Sequence, residues 1–200
     1  MDEALVEYWN ETVAPEDTVW HLGDFAAFQR NPECIQNLLE TLHGTVHLIR
    51  GNHDRIGSKA AIKAGFASFQ RVALLDGLVL CHYPAIGRVL SSGNLRAKRA
   101  LEENKALGVV HGHVHNTWKN PAPGHYNVSV DVTDFRPVAW EQIKAYFKKP
   151  DEHHPWCNMA GPGVPREGCP QCNTLFTKYP LEGRSEGEMA SHYFPDAVRR

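Results

Sequence analysis

Four short polar clusters, each closing an apolar run, hold most of the residues in this chain that could do chemistry. Gly23-Asp24 ends "DTVWHLGD", Gly51-Asn52-His53-Asp54 follows "TVHLIR", His82 follows "LVLC", and His111, His113 and His115 stand in "HGHVH". Amides, imidazoles and carboxylates need partners once they leave water, so such a cluster at the end of a buried element is either a turn or a site. Taken singly, a strand-end histidine is usually a hydrogen-bonded structural residue and a Gly-Asn pair is usually a turn. Four clusters built from the same three functional groups favour a site. Imidazole with carboxylate oxygen suits Mn2+, Fe2+, Ni2+ or Zn2+ better than Ca2+, and a carboxylate between two cations can bridge them.

The elements that must position these groups alternate along the chain. Apolar residues at Leu5, Tyr8, Trp9 and Val13 recur at helical spacing. "NPECIQNLLETLHG" has Asn31 as N-cap, Pro32 in the first turn and Gly44 as a stop. "SKAAIKAGF", "NLRAKRALEENKALG" and "VAWEQIKAYFKK" predict three further helices. "DTVWHLGD", "TVHLIRGN", "VVHGHVH" and "YNVSVDV" read as strands, and "RVALLDGLVLCHYP" as a hairpin about Asp76-Gly77. Strands alternating with helices, then a hairpin, predict a layered α/β domain over residues 1–148. Strand ends in such a sheet share an edge, which is where ligands bind. From residue 149 to 200 the composition shifts to Pro, Gly, His and Cys without periodicity, marking a separate tail.

A length of 200 residues with 42% hydrophobic composition suffices for one well-buried domain and a small appendage. The formal charge of −2 gives no footprint for wholesale binding to nucleic acid or acidic membrane, although a local basic patch leaves nucleic acid open. No apolar run nears the roughly 20 residues of a membrane span, and the acidic "MDEALVEYWNE" is unlike a secretory signal. Five cysteines, an odd number clustered late, suit a reducing compartment, so the chain is read as cytoplasmic. Sequence alone does not fix the oligomeric state.

The ordered set "GD", "GNHD", "CHYP" and "GHVH" resembles the calcineurin-like metallophosphoesterase family, whose pattern is D-x-H, G-D, G-N-H-D/E, a lone H and G-H-x-H. The resemblance implies a β-sandwich flanked by helices and hydrolysis of a phosphomonoester or phosphodiester by a metal-activated water. It implies two divalent cations, drawn from Mn2+, Fe2+, Ni2+ or Zn2+. Asp24 would bridge them, Asn52, His82 and His113 would complete the second metal's shell, and His115 would reach the first. His53 would face the leaving group, with Asp54 holding its imidazole in the useful tautomer. The partner would be a small phosphate ester.

The D-x-H pattern is not found ahead of Gly23, which leaves the first metal with Asp24 and His115 alone. Asp151-Glu152-His153 has the spacing but follows the last helix, and is read as chance. The expectation is a start codon or fragment that omits an upstream strand; the rival is a non-catalytic or single-metal remnant of the fold acting as a binding module. Arg88 and the run Arg96-Ala97-Lys98-Arg99 could rim the metals and bind phosphate. For the run, a solvated helix face with Glu102 and Glu103 four residues on is favoured, and Arg88 is the better candidate. In the tail, His154 (or His153) and Cys157 with Cys169 and Cys172 form a ribbon-like set for a structural Zn2+, closed to catalysis because all four positions are taken.

Overall fold

A computed structural model describes residues 2–26, 29–86, 91–117 and 124–148. Arg88, His154, Cys157, Cys169 and Cys172 lie outside the described residues.

The chain runs α1 (Asp2–Thr12), β1 (Thr18–His21), α2 (Pro32–Leu39), β2 (Thr45–Ile49), α3 (Ser58–Lys63), β3 (Ser68–Gln70), β4 (Val72–Leu75), β5 (Leu78–Cys81), α4 (Ser92–Glu103), β6 (Gly108–His111), β7 (His125–Asn127) and α5 (Trp140–Lys148). Short 3-10 turns cover His115–Thr117 and Val130–Val132. Asn31 caps α2 by accepting from Glu33 N–H at 3.0 Å, with Pro32 in the first turn as the spacing predicts. The Asp76-Gly77 hairpin also forms, pairing Leu75 with Leu78.

Two sheets result. One is parallel, in the order β1-β2-β3; the other is mixed, in the order β4-β5-β6-β7. Side-chain alternation sorts the strands into layers. Leu78 and Leu80 of β5 and Val110 of β6 meet Ile49, Leu22, Ile143 and Phe147 between the sheets. Val79 and Cys81 of β5 face outward onto Ala97 and Leu101 of α4. On the other side, Val46 and Leu48 of β2 pack with Ile35 of α2 and Ala61 of α3. Leu48 and Ile49 are at most 1% exposed, so each contributes about 1.5–3 kcal/mol by leaving water. This is a mixed α/β fold with two sheets flanked by helices.

Two expectations need correction. Ser68–Gln70 is a strand that the sequence reading omits, pairing in parallel with His47–Ile49. The last strand stops at Asn127 rather than running to Val132, because Asn127 Oδ1 accepts from Ser129 N–H at 2.9 Å and diverts the backbone into the 3-10 turn.

Candidate active site

The exits of β1 and β2 cross so closely that only glycine fits at both. A Cβ on Gly23 would lie 2.6 Å from Gly51 N and 2.7 Å from His82 Nδ1, and one on Gly51 would collide with the amide and carboxylate of Asp24. Gly23 and Asp24 both turn left-handed, at φ 100° and 57°. Asp is among the few residues that tolerate this region. Asp54, only 3% exposed, clasps the crossing: one carboxylate oxygen accepts from Gly51 N–H at 2.7 Å and Asp24 N–H at 3.0 Å, the other from Phe25 N–H at 3.1 Å. His53 N–H in turn donates to Asp24 Oδ1 at 2.8 Å. Asp54 thus fixes the backbone that carries Asp24.

The second sheet contributes His82, at the end of β5, and His113, just after β6. His82 is buried, and its Nδ1–H donates to the Leu22 carbonyl at 2.7 Å. That bond fixes the tautomer and turns an unprotonated Nε2 into the site. Around Nε2 stand Asn52 Oδ1 at 2.8 Å, His113 Nδ1 at 3.1 Å and Asp24 Oδ2 at 3.4 Å. Burial, the largest cause, lowers the pKa of His82 from the usual imidazole value, against the opposing pull of Asp24. Burial and then His82 lower His113 to about 4. Both rings are therefore neutral at pH 7, the form that binds metal.

The chemistry of this donor set fits a divalent cation. Two lone-pair atoms 2.8 Å apart, such as His82 Nε2 and Asn52 Oδ1, attract each other only across a proton or a cation. Neighbouring ligands about 2.1 Å from a six-coordinate ion lie about 3 Å apart, close to the separations seen. Among the described residues no three His, Cys, Asp or Glu side chains form a metal-holding group by themselves. The separations that the structure fixes all run through His82 Nε2, and Asn52 supplies the shortest of them.

His115 stands apart from that set. At φ 48° its side chain is 72% exposed, and Nδ1–H donates to Asp131 Oδ2 at 2.9 Å. Buried Asn127 donates through Nδ2 to the His115 carbonyl at 2.9 Å. Asp131 and Asn127 are site residues that the sequence reading treats only as strand; the polar positions inside "YNVSVDV" are the signal it passes over. His21 is a third. Its Nδ1 accepts from Gly23 N–H at 3.3 Å, its ring meets Phe25 edge-on at 5.1 Å, and burial lowers its pKa to about 4. Of the basic run, Lys98 reaches Glu102 at 4.0 Å along the helix, as a solvated face would have it.

Residues 2–127 match the model of the calcineurin-like phosphoesterase superfamily domain. The chain belongs to that superfamily. It is also 29% identical over 157 residues to an uncharacterized protein of Methanocaldococcus jannaschii, covering 74% of this chain and 76% of the relative. The crystal structure of a protein of unknown function from Aquifex aeolicus superposes with a TM-score of 0.57 at 23% identity, over 72% of this chain and 83% of that one, and so shares the fold. Superfamily domains are generally phosphoesterases that use divalent metals, and the matched range contains all of Asp24, Asn52, His53, Asp54, His82, His113 and His115. No described helix is long and apolar enough to cross a membrane.

Proposed function

We propose that this protein hydrolyses a phosphomonoester or phosphodiester of small-molecule size with a divalent cation, Mn2+, Fe2+, Ni2+ or Zn2+, held by Asp24, Asn52, His82 and His113. The observation that carries this reading is the gathering of one carboxylate, one amide oxygen and a second neutral imidazole about His82 Nε2, from strand ends 28 or more residues apart. When bound, such a cation polarises phosphoryl oxygens and lowers the pKa of water. The chain's residues supply the rest. His53, whose backbone N–H donates to Asp24 Oδ1, is assigned to protonate the departing oxygen. Asp54 holds the Gly51 and Asp24 amides, and so the strand ends themselves. His115, oriented by Asp131, is the donor toward a second cation.

In a single-metal reading, the same residues bind one ion and the chain acts as a binding module. It is favoured by the gathering of the donors about a single atom, His82 Nε2, among the described residues. The tail's His154, Cys157, Cys169 and Cys172 are proposed to hold a structural Zn2+, and the odd number of cysteines supports a cytoplasmic setting. Turnover of bis(p-nitrophenyl) phosphate and p-nitrophenyl phosphate with added Mn2+ decides between hydrolysis and binding. Release of nitrophenol that chelator abolishes supports the enzyme, and uptake of Mn2+ without release supports the binding module.

A further inference from the structure

Tyr83 lies between the two site histidines and α4. Its ring centroid is 4.4 Å from that of His113 and 4.9 Å from that of His82. Behind it is Gly93, in the first turn of α4, where a Cβ would collide with the Tyr83 ring. Glycine inside a helix costs about 1 kcal/mol relative to alanine. The backbone of Gly93 is helical and does not require it; the seat for the ring does. The helix is pinned at the same place. Buried Asn94 donates to the carbonyls of Pro84 at 2.8 Å and Ile86 at 3.1 Å, and closes a capping box with Ser91. Tyr83 is thus fixed through both its ring and its chain neighbours.

Space filling alone would be served by phenylalanine. Among the described residues the Tyr83 hydroxyl makes no hydrogen bond, yet it sits within the field of the site. The Asp24 carboxylate and the guanidiniums of Arg96 and Arg50 all act on it, with burial the largest influence. Arg96 is half-buried one turn along α4 from Gly93. A donor hydroxyl on a ring packed against the two site histidines matches an anion that brings several acceptor oxygens.

We propose that Tyr83 is a phosphate-binding residue of this site, its hydroxyl donating to a phosphoryl oxygen while its ring is seated on Gly93 and held against His82 and His113. The assignment rests on the phosphoester reading above, and its test separates the two. The full chain and its Tyr83→Phe variant, both supplied with Mn2+, are titrated with inorganic phosphate by calorimetry and assayed on bis(p-nitrophenyl) phosphate. The expected result is unchanged Mn2+ uptake and melting temperature, phosphate binding weakened about tenfold, as for loss of a hydrogen bond to a charged group, and KM raised more than kcat is lowered. Weakened phosphate binding in a chain that turns over no ester would sink the hydrolytic reading and keep Tyr83. Equal phosphate affinity in the two proteins, absence of phosphate binding by the unsubstituted chain, or loss of Mn2+ together with phosphate would each overturn the assignment.

Discussion

Replacing Asp54 by Asn changes one atom in a side chain that is 3% exposed and accepts three backbone N–H groups. The best pose keeps the amide oxygen where it serves Gly51 and Asp24, at 2.7 and 3.0 Å in the parent, and turns the new NH2 toward Phe25 N–H. One bond is then lost and two buried donors face each other, at about 1–3 kcal/mol for the orphaned group. The two surviving bonds pass from a charged to a neutral acceptor, about 1 kcal/mol more in all. The expected loss is about 3 kcal/mol, or about 6–12 °C in melting temperature for a domain of this size. Asp54→Ala, which forfeits all three bonds, should lose about twice that. Urea and thermal unfolding are measured with chelator present, so that metal binding does not add to the stability. Mn2+ uptake should weaken in parallel, because the clasp fixes the backbone of Asp24. An Asp54→Asn protein within about 0.5 kcal/mol of the parent, yet slower in turnover, would refute the clasp and leave Asp54 acting through His53 alone.

His53→Ala should lower turnover about 10²- to 10⁴-fold, the usual worth of a general acid, while equilibrium dialysis shows Mn2+ still bound; Asp24→Asn should lose both. Half-buried His21, with its pKa lowered to about 4, is neutral in the folded protein, whereas an unfolded chain protonates it near 6.5. Its contribution is therefore present above pH 6.5 and is lost as pH falls toward 4, so His21→Gln should flatten the acid limb of urea stability in chelator. Elemental analysis of the full chain after mild chelation should retain one zinc that Cys169→Ser fails to hold, as tight four-ligand thiolate sites do.

Much of the site was legible in the sequence because polar groups that end apolar runs have few other uses. Gly23-Asp24, Asn52, His82 and His113 come together from four strand ends as the α/β pattern implies. The hairpin about Asp76-Gly77 was equally open to reading, since two apolar runs flank an Asp-Gly turn. β3 was not. Ser68-Phe69-Gln70 is three residues long with two polar side chains, and becomes a strand through its parallel pairing with β2, a contact made across some 20 residues. The clasp of Asp54 was hidden for the same reason: two of its three partners, Asp24 and Phe25, lie 30 and 29 residues away. A sequence displays which groups need partners, and only the folded chain shows which partners they take.

The three left-handed residues other than glycine at the site follow from one requirement. Asp24, His113 and His115 have φ of 57°, 69° and 48°, and a left-handed residue with a side chain costs about 1–2 kcal/mol. A strand that simply continued would send alternate side chains to opposite faces of its sheet. Turning sharply at the strand end instead brings the side chain back across the edge, where groups from both sheets can meet. The cost is offset locally. Asp54 holds the turned amides of Asp24 and Phe25, and Asn127 and Asp131 hold the backbone and ring of His115. Among the described residues no side chain makes such a hydrogen bond to the backbone of His113; its ring rests against Tyr83 and His82. The three turns are therefore supported by different means: two by hydrogen bonds to the chain, and that of His113 by packing.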